Sequence, residues 1–64
     1  MDWIKFIDIA VSKLKKDGRK AYYGFSISLT QSEADGIKQH FEKEGMAVIV
    51  KKCPRNLYDV IITW

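Results

Sequence analysis

The feature that most restricts this chain lies toward its C-terminal end, where Pro54, Arg55 and Asn56 separate two apolar runs. Pro54 suits the first central position of a type I turn, and Asn56 tolerates the left-handed conformation that would follow. Together they predict a three-residue hairpin loop with a bulge, closed by Cys53 and Leu57, between strands at 46–53 and 57–64. The register follows. It sets Val50 opposite Val60, Val48 opposite Ile62 and Met46 opposite Trp64 on one face. On the other face it sets Lys51 opposite Asp59, Ile49 opposite Ile61 and Ala47 opposite Thr63. Apolar meets apolar and the one acid meets a lysine, whereas a slip of one residue would pair faces of opposite character.

Upstream, residues 3–16 read as a helix. Trp3, Ile4, Ile7, Ala10, Val11 and Leu14 share one side at 100° per residue. Asp2 is placed to cap its start. Gly18 is placed to stop it after a lysine-rich last turn that suits the helix dipole. Phe6 sits at the margin of the stripe. Ile9 falls on the opposite side, either as an isolated surface residue or as a partner contact. Residues 20–29 alternate as a strand: Tyr23, Phe25, Ile27 and Leu29 point one way, and Tyr22, Gly24, Ser26 and Ser28 the other. Thr30-Gln31-Ser32-Glu33 is a capping box, with Leu29 and Ala34 as a hydrophobic staple. It opens a second helix that runs to Glu44 and stops at Gly45. Its apolar stripe is narrow: Ala34, Ile37 and Phe41. Gly36 within it is expected on the exposed side; the alternative is that it lets another backbone come close.

These elements imply an α+β fold, a two-layer sandwich in the order α-β-α-β-β. A three-stranded mixed sheet carries both helices on one face. The first two strands, joined by a helix, should run in the same direction with a right-handed crossover. The last strand, apolar at 60–62, suits the centre and gives spatial order 1-3-2, with 1-2-3 as the alternative. The core face would carry Tyr23, Phe25, Ile27, Leu29, Met46, Val48, Val50, Tyr58, Val60, Ile62 and Trp64. The second face would carry Tyr22, Ser26, Ser28, Ala47, Ile49, Lys51, Leu57, Asp59, Ile61 and Thr63. Its apolar middle is a contact patch unless helix one crosses to cover it.

The 64 residues make one domain, 1–64, with a small core. Cys53 is the only cysteine, so no disulfide forms within a monomer. Only Cys53 and His40 are soft ligands, against the four of a structural zinc cage, and no metal or cofactor is expected. A lone cysteine fits a reducing compartment, which makes the expected location cytoplasmic. The apolar and charged fractions, 47% and 30%, are those of an ordinary globular chain. No run reaches the roughly 20 apolar residues that span a bilayer, and Asp2, Lys5 and Asp8 interrupt any leader-like segment, so no membrane role is expected.

Catalysis finds little support. His40 stands on a helix one turn before Glu44 and reads as a surface residue. Cys53 reads as a turn residue, although Lys51, Lys52 and Arg55 would lower its pKa. No paired carboxylates or glycine-rich phosphate loop occur, and so short a chain leaves little room for a ligand-sized cleft. Two basic clusters give nucleic-acid binding more support. Lys13, Lys15, Lys16, Arg19 and Lys20 form one, and Lys51, Lys52 and Arg55 the other, in a chain of net charge +3. Tyr22 beside the first is placed to stack a base. A winged-helix arrangement is excluded, because it needs two helices between the first strand and the hairpin and residues 31–44 hold one. An RNA-recognition sheet fits poorly, since Tyr22 is the only aromatic expected on the second face.

The function expected is therefore a non-catalytic protein-interaction module that binds a protein partner or its own copy. Short chains of this kind are often accessory proteins of phages or mobile elements, which would put it in the host cytoplasm. The contact candidates are Tyr22, Ile49, Ile61 and Ile9. The alternative is a small basic nucleic-acid-binding protein that uses the two clusters. No small-molecule ligand is expected.

Overall fold

The computed structural model describes residues 2–64. In chain order they form α1 (Trp3–Lys16), β1 (Ala21–Ser28), α2 (Gln31–Lys43), β2 (Ala47–Cys53), a single turn at Pro54–Asn56, and β3 (Leu57–Thr63). Among them no helix is long and apolar enough to cross a membrane.

Local chemistry sets each boundary. Asp2 caps α1, its side chain accepting from the Lys5 N–H at 3.1 Å. Gly18 then turns the chain at φ 80°, where a residue without Cβ avoids a steric penalty. The capping box forms in full. Thr30 Oγ1 accepts from the Glu33 N–H at 3.1 Å, and Glu33 Oε1 accepts from the Thr30 N–H at 2.9 Å. Such a cap contributes about 1 kcal/mol, a large share of a small domain's stability. Gly36 is half-buried where α2 passes α1, 3.7 Å from Ile4 Cδ1 when given a Cβ, so it is not on the exposed side.

The strands lie in the order β1-β3-β2. Both ladders are antiparallel, so no parallel neighbours exist and the sheet is antiparallel rather than mixed. β1 and β2 do share a direction, with β3 between them. The hairpin register is the one its side chains dictate, from Ala47 opposite Thr63 to Cys53 opposite Leu57. The turn departs from type I. Arg55 as well as Asn56 is left-handed, at φ 64° and 58°, whereas type I needs a negative φ at its second central residue.

α1 packs over β1 and α2 over β2, with the helices touching each other. Ile7 and Val11 of α1 meet Ala34, Ile37 and Phe41 of α2 above Val48, Tyr58, Val60 and Ile62 of the sheet. Tyr58 Oη donates to Gln31 Oε1 at 3.3 Å, so this core phenol keeps a polar partner. The chain end is fastened to the α1–β1 connection. Trp64 Nε1 donates to the Arg19 carbonyl at 2.8 Å and its backbone N–H to the Lys20 carbonyl at 3.1 Å.

Candidate functional site

The site is created by an irregularity in β1. Gly24 stands opposite Val60 and Ile27 opposite Tyr58, so three steps along β1 match two along β3. The extra residue is a β-bulge, which bends a strand and re-aims its side chains. Ser26 within it takes φ 55°. Its N–H, which has lost its ladder partner, donates to Asp59 Oδ1 at 3.0 Å.

The bulge shifts the phase of the strand and overturns the simple alternation. Before it, Tyr22 and Gly24 face the helices; after it, Ile27 does so. Tyr23 and Phe25 are thereby turned to the opposite face, 61% and 63% exposed, with their rings stacked at 6.2 Å and 19°. Simple alternation places both in the core, and the bulge puts both outside it. Tyr22 departs from alternation in the other direction. It is half-buried against the core, where burial pushes its hydroxyl pKa up, and it is not part of the second face. Gly24 makes room for it: a Cβ there would lie 2.9 Å from Tyr22 Oη and 2.7 Å from Ile27 Cδ1.

The helices leave the second face uncovered. Across it run cross-strand rows that the two registers define. Tyr23, Ile61 and Ile49 form one row spanning all three strands. Ala21, Thr63 and Ala47 flank it on one side. On the other side Lys51 stands opposite Asp59, beside Phe25 of the bulge. Ile49 is 60% exposed and Ile61 half-buried between its neighbours. Ile49 and Ile61 are thus brought together as expected, while Tyr23 and Phe25 replace Tyr22. Ile9 is 60% exposed on the solvent side of α1, in the helical layer, and does not join this surface.

The cationic candidates are all exposed. Lys15 Nζ lies 5.7 Å from the Trp64 ring centroid, a cation–π contact at the chain end. The two clusters are not brought together. Lys13–Lys20 precedes the end of the sheet where Ala21 meets Thr63, and Lys51, Lys52 and Arg55 surround the end where Ser28 meets Leu57. Seven residues of strand, roughly 20 Å, separate these ends.

Two other groups have chemical potential. His40 Nε2 is 3.0 Å from Glu44 Oε2, and Asp8 of α1 completes a set whose ligand atoms lie within 4.8 Å of one another. Three donors at a surface fall short of the four of a structural zinc site. Cys53 is a free, half-buried thiol. Its pKa is raised, first by desolvation and then by the Asp59 carboxylate, with Lys51 opposing and outweighed. The lowered pKa expected from the neighbouring cations is therefore corrected.

A groove of about 450 Å³ lies between the C-terminal half of α1 and the start of β1. It is large enough for a small ligand, contrary to the expectation from chain length. Comparison with protein-family models, curated proteins and solved structures gives no significant match.

Proposed function

We propose that this chain is a non-catalytic interaction module whose contact surface is the helix-free face of the sheet, and that the occupant is a second copy of the chain. The observation that carries the reading is the row Tyr23–Ile61–Ile49, extended by Phe25. Four large apolar side chains on a surface that none of the described residues covers are what an interface core requires. Aromatic residues contribute most per side chain to such contacts.

Charge favours self-association over a nucleic-acid partner. A two-fold interface apposes one patch to itself, so any net charge on the patch is repelled. Here Asp59 and Lys51 stand opposite each other, and the middle of the face carries no net charge. Phosphate binding calls for the reverse, a surplus of cations beside the aromatic rings. Apart from Lys51, which Asp59 offsets, the cations of the two clusters stand instead toward the ends of the sheet. Two such faces would pack about 10 Å apart with their strands nearly aligned.

Size bounds the strength. Three strands of seven residues cover a flat footprint of roughly 350 Å², well under the ~800 Å² per partner of a standard interface. The dimer is accordingly weak, with a Kd on the order of micromolar to millimolar.

Sedimentation equilibrium across this range tests the reading. The wild type should show a concentration-dependent dimer, and Ile49→Lys or Ile61→Lys should be monomeric. A strictly monomeric wild type would contradict it. If that monomer binds single-stranded oligonucleotides with a steep salt dependence, and replacing Lys15, Lys16 and Arg19 weakens binding alike for all sequences, the nucleic-acid alternative takes its place.

A further inference from the structure

β1 is an edge strand, and its hydrogen-bonding parity is fixed by one bond. The Trp64 N–H donates to the Lys20 carbonyl, which makes Lys20 and Trp64 a hydrogen-bonded pair of the antiparallel ladder. Alternation then makes Tyr22 opposite Ile62 and Gly24 opposite Val60 pairs of the same kind. Ala21 and Tyr23, opposite Thr63 and Ile61, belong to the other kind. Their N–H and C=O groups point away from β3, to the open edge.

The groove between α1 and β1 lies along this same edge. Ala21 and Tyr23 line it from the strand, and Ala10 and Leu14 from the helix. Leu14 and Ala10 belong to the apolar stripe of α1 yet are only half-buried, because no strand lies beneath that part of the helix. An unfilled strand position, with free backbone groups on one wall and apolar side chains above, is the geometry of β-strand addition.

We infer that this edge takes an extended, acidic peptide segment of a partner protein as a fourth strand. Charge selects that occupant. Lys13, Asp17 and Arg19 border the groove, a net positive rim, and residues 13–20 as a whole hold five cations against the single acid Asp17. A second copy of the chain is disfavoured at this edge, because both copies would bring the same surplus of cations and neither would supply the acids that complement it. The bulge after Gly24 ends the regular edge, so the segment is short. About five residues fit between Lys20 and Gly24, a span of roughly 17 Å. This edge adjoins the sheet face proposed for self-association and shares Tyr23 with it, but it uses the outward backbone N–H and C=O of Tyr23 rather than the ring, so the inference does not rest on that reading.

The test is an NMR titration of the ¹⁵N-labelled chain with a capped six-residue peptide of alternating glutamate and valine, beside its lysine–valine counterpart. The acidic peptide should shift the amides of Leu14 and of residues 20–24 and slow the hydrogen exchange of Ala21 and Tyr23. The lysine peptide should bind about tenfold more weakly, or less. Ala21→Pro, which removes an outward N–H and no ladder bond, should abolish the protection of Tyr23. Arg19→Glu, a change at an exposed side chain on the groove rim, should weaken the acidic peptide about five- to tenfold without disturbing the fold. Equal binding of the two peptides, no binding of either, or unprotected Ala21 and Tyr23 amides at saturation would overturn the inference. So would shifts confined to Ile49 and Ile61, which would assign the peptide to the sheet face.

Discussion

The Ser26 N–H donates to the Asp59 carboxylate across the β1–β3 ladder at 3.0 Å. This one bond anchors the bulge that turns Tyr23 and Phe25 away from the core. Removing the acceptor leaves a backbone donor without its partner in a segment that has already lost a ladder bond. Asp59→Ala should therefore lower stability by about 1 kcal/mol, read from urea unfolding. The Ser26 amide should exchange with solvent faster than its neighbours in the same variant. Unchanged stability together with unchanged exchange would mean that the bulge holds without the carboxylate.

Two glycines should respond to substitution with opposite signs. At Gly24 a Cβ would crowd both the Tyr22 hydroxyl and the Ile27 side chain, so the core must shift to admit it. Gly24→Val should cost about 1–3 kcal/mol, the usual range for overpacking. At Gly36 the added Cβ would meet Ile4 Cδ1 at 3.7 Å, an ordinary contact, on a helix with normal dihedrals. Gly36→Ala should raise stability by about 0.5–1 kcal/mol through helix propensity. Parallel urea curves on the two variants check both signs.

The contrast between the strands shows which parts of the fold are legible in the chain. In the hairpin, the turn residues Pro54 and Asn56 and the cross-strand partners agree on one register, because a slip would expose Val48, Val50, Val60 and Ile62 together. The helices are equally plain, since Asp2 and Thr30 cap them and the period of their apolar residues is unbroken. β1 misleads because it has two phases. Tyr23, Phe25, Ile27 and Leu29 alternate without a gap, yet the extra residue at the bulge separates the first pair from the second. Only Gly24 hints at it, being a glycine inside a strand, where bulges and close approaches occur. The second partner of Asp59 is hidden for the same reason. Its pairing with Lys51 is local to the hairpin, whereas its bond to Ser26 joins residues 33 apart.

Cys53 should be a slow nucleophile. Its pKa is raised by desolvation and by Asp59, so less of it is thiolate near neutral pH than in a free cysteine. Alkylation by iodoacetamide should be slower than that of a free cysteine at neutral pH and should accelerate as pH climbs through the raised pKa. Asp59→Asn removes the charge that opposes ionisation, and should shift the rate profile to lower pH. A profile already flat at neutral pH would instead indicate an activated thiol and reopen a cysteine-based chemistry.

In the proposed dimer, Tyr23, Phe25, Ile49 and Ile61 of one copy meet the same residues of the other. Isotope-filtered NMR on an equal mixture of ¹³C-labelled and unlabelled chain, at millimolar concentration, tests it most directly. Intermolecular contacts are expected from the Tyr23 and Phe25 rings to the Ile49 and Ile61 methyl groups, and they should be lost in Ile49→Lys. Intermolecular contacts confined to other surfaces, or none at any concentration, would contradict it.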